Sequence, residues 1–218
     1  MRLLGSDSDS VQEHAAWALG KLAANNNASQ VAIAAASAIP PTVRLLGSSS
    51  EGVQQHAAWA LWSLGCKNNA NQAAISAPGA IPPLVRLLGS GNVGVQNRAA
   101  RALANLALDD AYQASIAAAG IIPPLVRLLG SGSEGVQEGA ARALANLALD
   151  DANQASIAAA GAIPRLVRLL GSSSEGVQEG AAGVLTNLAL DDANKAAIRA
   201  ANPIPSLVQL LGGASEGV

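Results

Sequence analysis

The chain contains no phenylalanine, and its three tryptophans and single tyrosine bring the aromatic share to only 2%. Ala, Leu, Val and Ile must therefore build the core. Small side chains of this kind let helices approach closely, so the composition points to helix packed on helix. Cysteine is almost missing as well. Cys66 stands alone, which excludes an intramolecular disulfide or a thiolate metal cluster and fits a reduced residue in an intracellular protein, cytoplasmic or nuclear. There is no excess of basic charge: 13 Lys+Arg face 15 Asp+Glu, for a net charge of −2. A phosphate-binding surface needs such an excess to release counterions, so nucleic acid is not an expected partner. Two stretches, 22–43 and 68–85, carry no charge at all. They are interrupted by Asn25, Asn26, Asn27 and Pro40–Pro41, or by Asn68, Asn69, Asn71 and Pro82–Pro83. A membrane helix needs about 20 predominantly apolar residues, so neither qualifies. The opening MRLLGSDSDS has no apolar core of signal-peptide length, and no export signal is expected.

What the chain does have is an internal repeat. IPPTVRLLG begins at Ile39, IPPLVRLLG at Ile81 and Ile122, IPRLVRLLG at Ile163 and IPSLVQLLG at Ile204, in steps of 42, 41, 41 and 41 residues. A second phrase lies between these, as in VQEGAARALANLA from Val136 to Ala148, and a third follows, as in DANQASIAAAG from Asp151 to Gly161. Each phrase is punctuated as a helix. Pro123 and Pro124 stand at a helix start, where a missing N–H costs nothing, and Gly130 is a suitable stop. Ser133 is expected to cap the next helix, with Glu134 near the positive end of its dipole. Val136, Ala140, Ala143, Leu144 and Leu147 follow helical spacing. Each unit is thus expected to hold one short and two longer helices. The whole chain, 1–218, is expected to form a single domain. Its predicted units are a partial repeat at 1–26, repeats at 27–68, 69–109, 110–150 and 151–191, and a partial repeat at 192–218.

Few residues suggest chemistry. Gly89–Gly94 and Gly130–Gly135 both match G-x-G-x-x-G, but a dinucleotide fingerprint requires a preceding strand, and here a helix precedes. These are read as repeat turns. His14 and His56 lie one period apart on helices expected to be about 8–10 Å from each other, too far for both to reach one metal at about 2 Å. The pairs Asp109–Asp110, Asp150–Asp151 and Asp191–Asp192 stand at helix starts, where Asn68–Asn69 replaces them in another unit. Helix capping explains both residue types. No Ser/His/Asp or Cys/His arrangement points to catalysis, and no metal or cofactor is expected.

The run through Asn153, Ile157, Gly161, Ile163, Leu166, Val167, Leu169, Leu170, Val177, Ala181, Leu185 and Asn187 resembles an armadillo repeat unit, as found in importin-alpha and beta-catenin. The resemblance extends over essentially the whole chain. It implies an all-α, right-handed alpha-alpha superhelix, an armadillo solenoid of three-helix repeats of about 41–42 residues. It also implies a protein or extended peptide as partner, held along the concave face lined by the third helices. On that face the rows read His14/Trp17/Lys21, His56/Trp59/Ser63, Arg98/Arg101/Asn105, Gly139/Arg142/Asn146 and Gly180/Gly183/Asn187. The resemblance implies that Asn105, Asn146 and Asn187 hold a peptide main chain, which a side-chain amide suits by donating and accepting. It implies side-chain pockets at Trp17 and Trp59, beside His56 and Ser63. The rows depart from the importin-alpha pattern, since Trp and Asn never share a unit and His, Arg or Gly replaces the acidic residue beside the family's basic-peptide pockets. Arg98, Arg101 and Arg142 are therefore expected to favour acidic or phosphorylated segments. Glu138, four residues before Arg142, is a candidate partner for it, and Trp62 reads as core or surface filler.

Residues 95–120 and 136–161 differ only at Asn97/Glu138, Arg98/Gly139 and Tyr112/Asn153. Such likeness implies recent duplication or a consensus-based scaffold. The idiosyncratic Trp17, Trp59, Trp62, Cys66 and Lys67 of the earlier units favour natural drift. The chain opens inside a second helix, at Arg2–Leu4, and stops at Gly217–Val218 without capping repeats. End-mediated, head-to-tail association of copies is the expectation from such open ends.

Overall fold

The computed structural model describes residues 2–77 and 79–213, the side chains of Asp110 and of 211–213 excepted. Gly217–Val218, the expected close of the last partial repeat, lies outside the described residues. Every regular element among the described residues is helical. The chain divides into two compact units, Met1–Ile121 and Ile122–Val218.

The first unit opens with a 3-10 turn at Arg2–Gly5. It continues through α1 (Asp9–Ala23), α2 (Asn27–Ala35), α3 (Ile39–Leu45), α4 (Glu51–Gly65), α5 (Asn69–Ser76), α6 (Ile81–Leu87), α7 (Val93–Leu106) and α8 (Asp110–Ala118). The second holds α9 (Ile122–Leu128), α10 (Glu134–Leu147), α11 (Asp151–Ala159), α12 (Ala162–Leu169), α13 (Glu175–Leu188), α14 (Asp192–Ala200) and α15 (Ile204–Gly213). Two short helices and one long one recur, rather than one short and two longer: α11 has 9 residues, α12 has 8 and α13 has 14. The Ile-Pro helix is cut short because Gly171 and the Ser residues after it end its regular pattern early.

In the first unit, α4 packs against α1 and against α7, so the long helices stack in series. In the second unit, α10 packs against α13 in the same way. Leu61, Leu64, Leu103 and Leu106 are fully buried, as are Leu84 and Leu88 of the Ile-Pro helix and its end. Glycine brings the stacked helices together at chosen points. Gly180 of α13 lies so near α10 that an added Cβ would fall 2.8 Å from the Ala141 Cβ.

Helix starts follow the capping logic. Asn26, Asn68, Asp150 and Asp191 accept hydrogen bonds from the main-chain N–H three residues on, and Asp109 from that of Ala111. Ser133 occupies the N-cap of α10 but makes no side-chain capping bond. A glutamine clasp holds that turn instead. The Gln137 amide donates to the Ser131 carbonyl at 2.7 Å, and Gln12, Gln54, Gln96 and Gln178 donate to Ser6, Ser48, Ser90 and Ser172 in the same manner. The turns containing Gly89–Gly94 and Gly130–Gly135 each follow a helix and not the strand that a dinucleotide fingerprint requires.

Helix ends use buried amides. Asn71 donates to the Leu64 carbonyl at 2.9 Å and Gln72 to Gly65 at 3.0 Å. Asn153 and Gln154 do the same for Leu147 and Ala148, each at 3.1 Å. The connector after a long helix comes in two forms. After α1 and α4 it contains Asn25 and Lys67, both at φ 55°. After α7, α10 and α13 a connector of equal length holds no left-handed residue and ends in the capping Asp.

Ser37, just after the short α2, is also at φ 55°, where Gly120 and Gly161 occupy the matching place at φ 74° and 77°. A left-handed conformation costs an L-residue about 1–2 kcal/mol, and glycine escapes most of it. Ser37→Gly is expected to stabilise the fold by about 0.5–1 kcal/mol, read as a higher urea midpoint at unchanged slope.

Candidate functional site: the face of the long helices

The exposed face of α1, α4 and α7 carries the aromatic and basic side chains of the first unit. Trp17, 46% exposed, stands on α1, while Trp59 and Trp62 lie half-buried on α4. Gly20 makes the approach of α1 to α4 possible, since a Cβ there would fall 2.6 Å from the Trp59 indole. Lys21 follows it, and its Nζ lies 5.8 Å from the centroids of both the Trp17 and the Trp59 rings. On α7 the Arg98 guanidinium lies 5.7 Å from the Trp59 ring and that of Arg101 5.5 Å from Trp62. All four pairs are within cation–π range. Trp17, Lys21, Gln55, His56, Trp59 and Arg98 line a cleft of about 140 Å³.

Burial, and secondarily the like charge of Arg101, push the Arg98 guanidinium below its ordinary pKa. The cation is held at a cost that a nearby anion would relieve. Asn97 accepts from Arg101 Nε at 3.0 Å and orients it. His56 Nδ1 lies 3.0 Å from the Gly52 carbonyl and 3.5 Å from Glu13 Oε1, whereas the exposed His14 reaches the Ser10 carbonyl at 2.7 Å. The two imidazoles are thus engaged within separate turns.

The asparagine row has a structural task. Asn105 Nδ2 donates to the Trp62 carbonyl at 3.0 Å, and Asn187 Nδ2 to the Ala145 carbonyl at 2.9 Å. Each amide ties its helix to the preceding long helix, which leaves its oxygen outside that bond. Asn146 sits half-buried at the matching place on α10. Ser63, in the same row on α4, is buried, and its hydroxyl lacks a partner. It does not reach the surface that a ligand would meet, because a short side chain there stays within the helix stack. In the second unit Arg142 is engaged by two carboxylates, Glu138 at 3.4 Å and Glu179 at 3.3 Å. The first pairing was legible as an i,i+4 spacing; the second crosses between stacked helices. Lys21, Trp62 and Asn97 join the face although the sequence pattern assigned them no task. The signal for Lys21 was its place four residues after Trp17.

Armadillo/beta-catenin-like repeats match residues 68–108, 109–149 and 150–190. The chain belongs to the armadillo repeat family. A HEAT-like repeat matches residues 9–61. An engineered protein of known crystal structure is 35% identical over 96% of this chain and 88% of that chain, with a TM-score of 0.91. The designed armadillo repeat protein YIII(Dq.V1)4CPAF, solved in complex with the peptide (KR)4, is 31% identical over 99% of this chain and 91% of that one, with a TM-score of 0.88. A computationally designed armadillo repeat protein for modular peptide recognition is 31% identical over 96% and 89%, with a TM-score of 0.87. Comparison with curated proteins finds no match. The armadillo solenoid class read from the repeats is thereby established. Among the described residues, no helix is long and apolar enough to cross a membrane.

Two substitutions probe this armadillo face. Ser63→Asn should supply the amide that Asn105 supplies one repeat later, reaching back to α1, and raise stability by about 1 kcal/mol in chemical denaturation. Gly20→Ala should displace the Trp59 indole, shift the tryptophan emission to the red and cost about 1–3 kcal/mol.

Proposed function

We propose that the chain is a non-catalytic binding scaffold that takes an extended peptide or protein segment along the long-helix face, with a preference for acidic or phosphorylated side chains beside α7. The observation that carries this reading is the pairing of Arg98 and Arg101 on one face of α7, each against a tryptophan of α4. A carboxylate or phosphate between them relieves like-charge repulsion and gains charge-assisted hydrogen bonds. Trp17, Trp59 and His56 supply the neighbouring apolar and aromatic surface. Asn105, Asn146 and Asn187 offer amide oxygens to a peptide's N–H groups, while their nitrogens serve the fold at Asn105 and Asn187. Arg142 is a weaker anchor because Glu138 and Glu179 already neutralise it. Ser63, in the same row, is buried, so it is the least accessible of these positions to a peptide. The designed armadillo neighbours support the peptide-binding class, and one of them was solved with the basic peptide (KR)4. Here the cations beside the tryptophans favour the opposite charge.

One observation favours a second reading. Residues 95–120 and 136–161 are nearly identical, and neighbours in structure are designed proteins. A consensus-like scaffold, engineered or excised from a longer protein, would have the same fold and no native ligand.

Fluorescence anisotropy with matched acidic, phosphorylated and Lys/Arg-rich peptides distinguishes the two. The acidic and phosphorylated sets should bind more tightly, and Arg98→Glu or Arg101→Glu should weaken them by about tenfold or more, as loss of one charged hydrogen bond requires. A win for the Lys/Arg-rich set would overturn the charge preference, and silence from every set would favour the ligand-free scaffold.

A further inference from the structure

The cleft between Trp17 and Trp59 is chemically a receptor for a cation, yet the cation within reach of both rings is the chain's own. We infer that Lys21 is a built-in occupant of this aromatic cleft and that its presence sets the charge specificity of the first unit's binding face. The inference rests on the peptide-binding reading above for its second half only.

Three observations converge. Lys21 Nζ stands 5.8 Å from each ring centroid, so one ammonium serves two indoles. A cation over an aromatic face is worth about 0.5–1 kcal/mol at an exposed site and more when desolvated. Gly20, beside it, admits the Trp59 ring to a distance that no side chain at that position would allow. The pair of indoles and the lysine therefore share one place. Arg98 lies against Trp59 as well, at 5.7 Å. An arriving Lys or Arg side chain would find the rings taken and would face two like charges. An arriving carboxylate would meet Lys21 and Arg98 together.

The charged and titratable groups around the cleft agree with this balance. His56 lines the same cleft, with Glu13 3.5 Å from its Nδ1. The Glu13 carboxylate also rests on Gly52, where a Cβ would fall 2.5 Å from it. It is thus directed to the α4 backbone beside His56.

Replacing Lys21 should reverse the preference. In Lys21→Ala the two indoles are left open to an external cation. A Lys/Arg-rich peptide should gain about tenfold in affinity while an acidic peptide loses a similar factor. Lys21→Arg keeps the cation and should retain the parent's ranking. Occupancy itself can be read without any peptide. In carbon–proton correlation spectra of the full chain, the Lys21 ε-methylene protons should lie upfield through the ring currents, and those of exposed Lys67 should not. An unshifted Lys21 signal overturns the occupancy. A shifted signal, with Lys21→Ala gaining nothing for the basic peptide while acidic peptides still bind the parent, overturns the specificity role and leaves the groove reading in place. If no peptide of either charge binds parent or variant, the specificity role falls together with the groove reading. Circular dichroism checks that both variants are folded, as the exposed position of Lys21 leads one to expect.

Discussion

A helix that ends inside a protein leaves its last carbonyls without amide donors, and the rest of this structure depends on how those carbonyls are served. The solution is a buried asparagine or glutamine on the helix that follows. Asn71 and Gln72 close the end of α4, and Asn153 and Gln154 close the end of α10. Gln30 reaches further: its amide donates to the Ala23 carbonyl at the end of α1 and to the Ser63 carbonyl of α4. These amides are buried, so removing one would leave a carbonyl unpaired at a cost of about 1–3 kcal/mol. They lock the direction of each long helix relative to the short helix after it. Side chains spaced one repeat apart can then form rows.

The rows carry the chemistry, and their two halves differ. In the first unit tryptophans and cations alternate between neighbouring helices. In the second, carboxylates surround the one arginine of the row. Asparagine at the row's end serves fold and surface at once, because an amide can spend a donor on the neighbouring helix and keep its acceptor. The same economy appears at Glu13, which approaches both His56 and the glycine turn beneath it.

The helical class, the period and the helix starts were legible in the sequence because each has a local cause. Asp150 and Asn68 announce caps by residue type, and Val136, Ala140, Leu144 and Leu147 announce a buried stripe by spacing. The glutamine clasp was equally local, with Gln following Val at the start of every long helix, but its target is a carbonyl, and a sequence does not display carbonyls. The site was less legible. Glu138 could be paired with Arg142 by counting four residues, whereas Glu179 comes from the next long helix and needs the stacking geometry. Lys21 reaches Trp59 across the same kind of gap. Ser63 occupied the right place in the row, yet burial removed it from the surface. Repeat alignment gives the row; it does not give the depth of each side chain.

The two connector forms constrain how such a chain can be rearranged. Asn25 and Lys67 are left-handed residues of a kind that the Asp-capped connectors lack, and the long helices ahead of them, α1 and α4, have 15 residues where α7, α10 and α13 have 14. The extra residue of α4 accounts for the step of 42 in place of 41. A cassette cut through the connector would join the helix end of one form to the turn of the other, so that the backbone conformation and the helix end it follows no longer match. Shuffled arrays keep their phase only if the long helix, its connector and the capping residue are exchanged as one piece. The natural seam for exchange lies in the serine-rich turn ahead of the long helix, where every copy uses the same glutamine-fastened geometry.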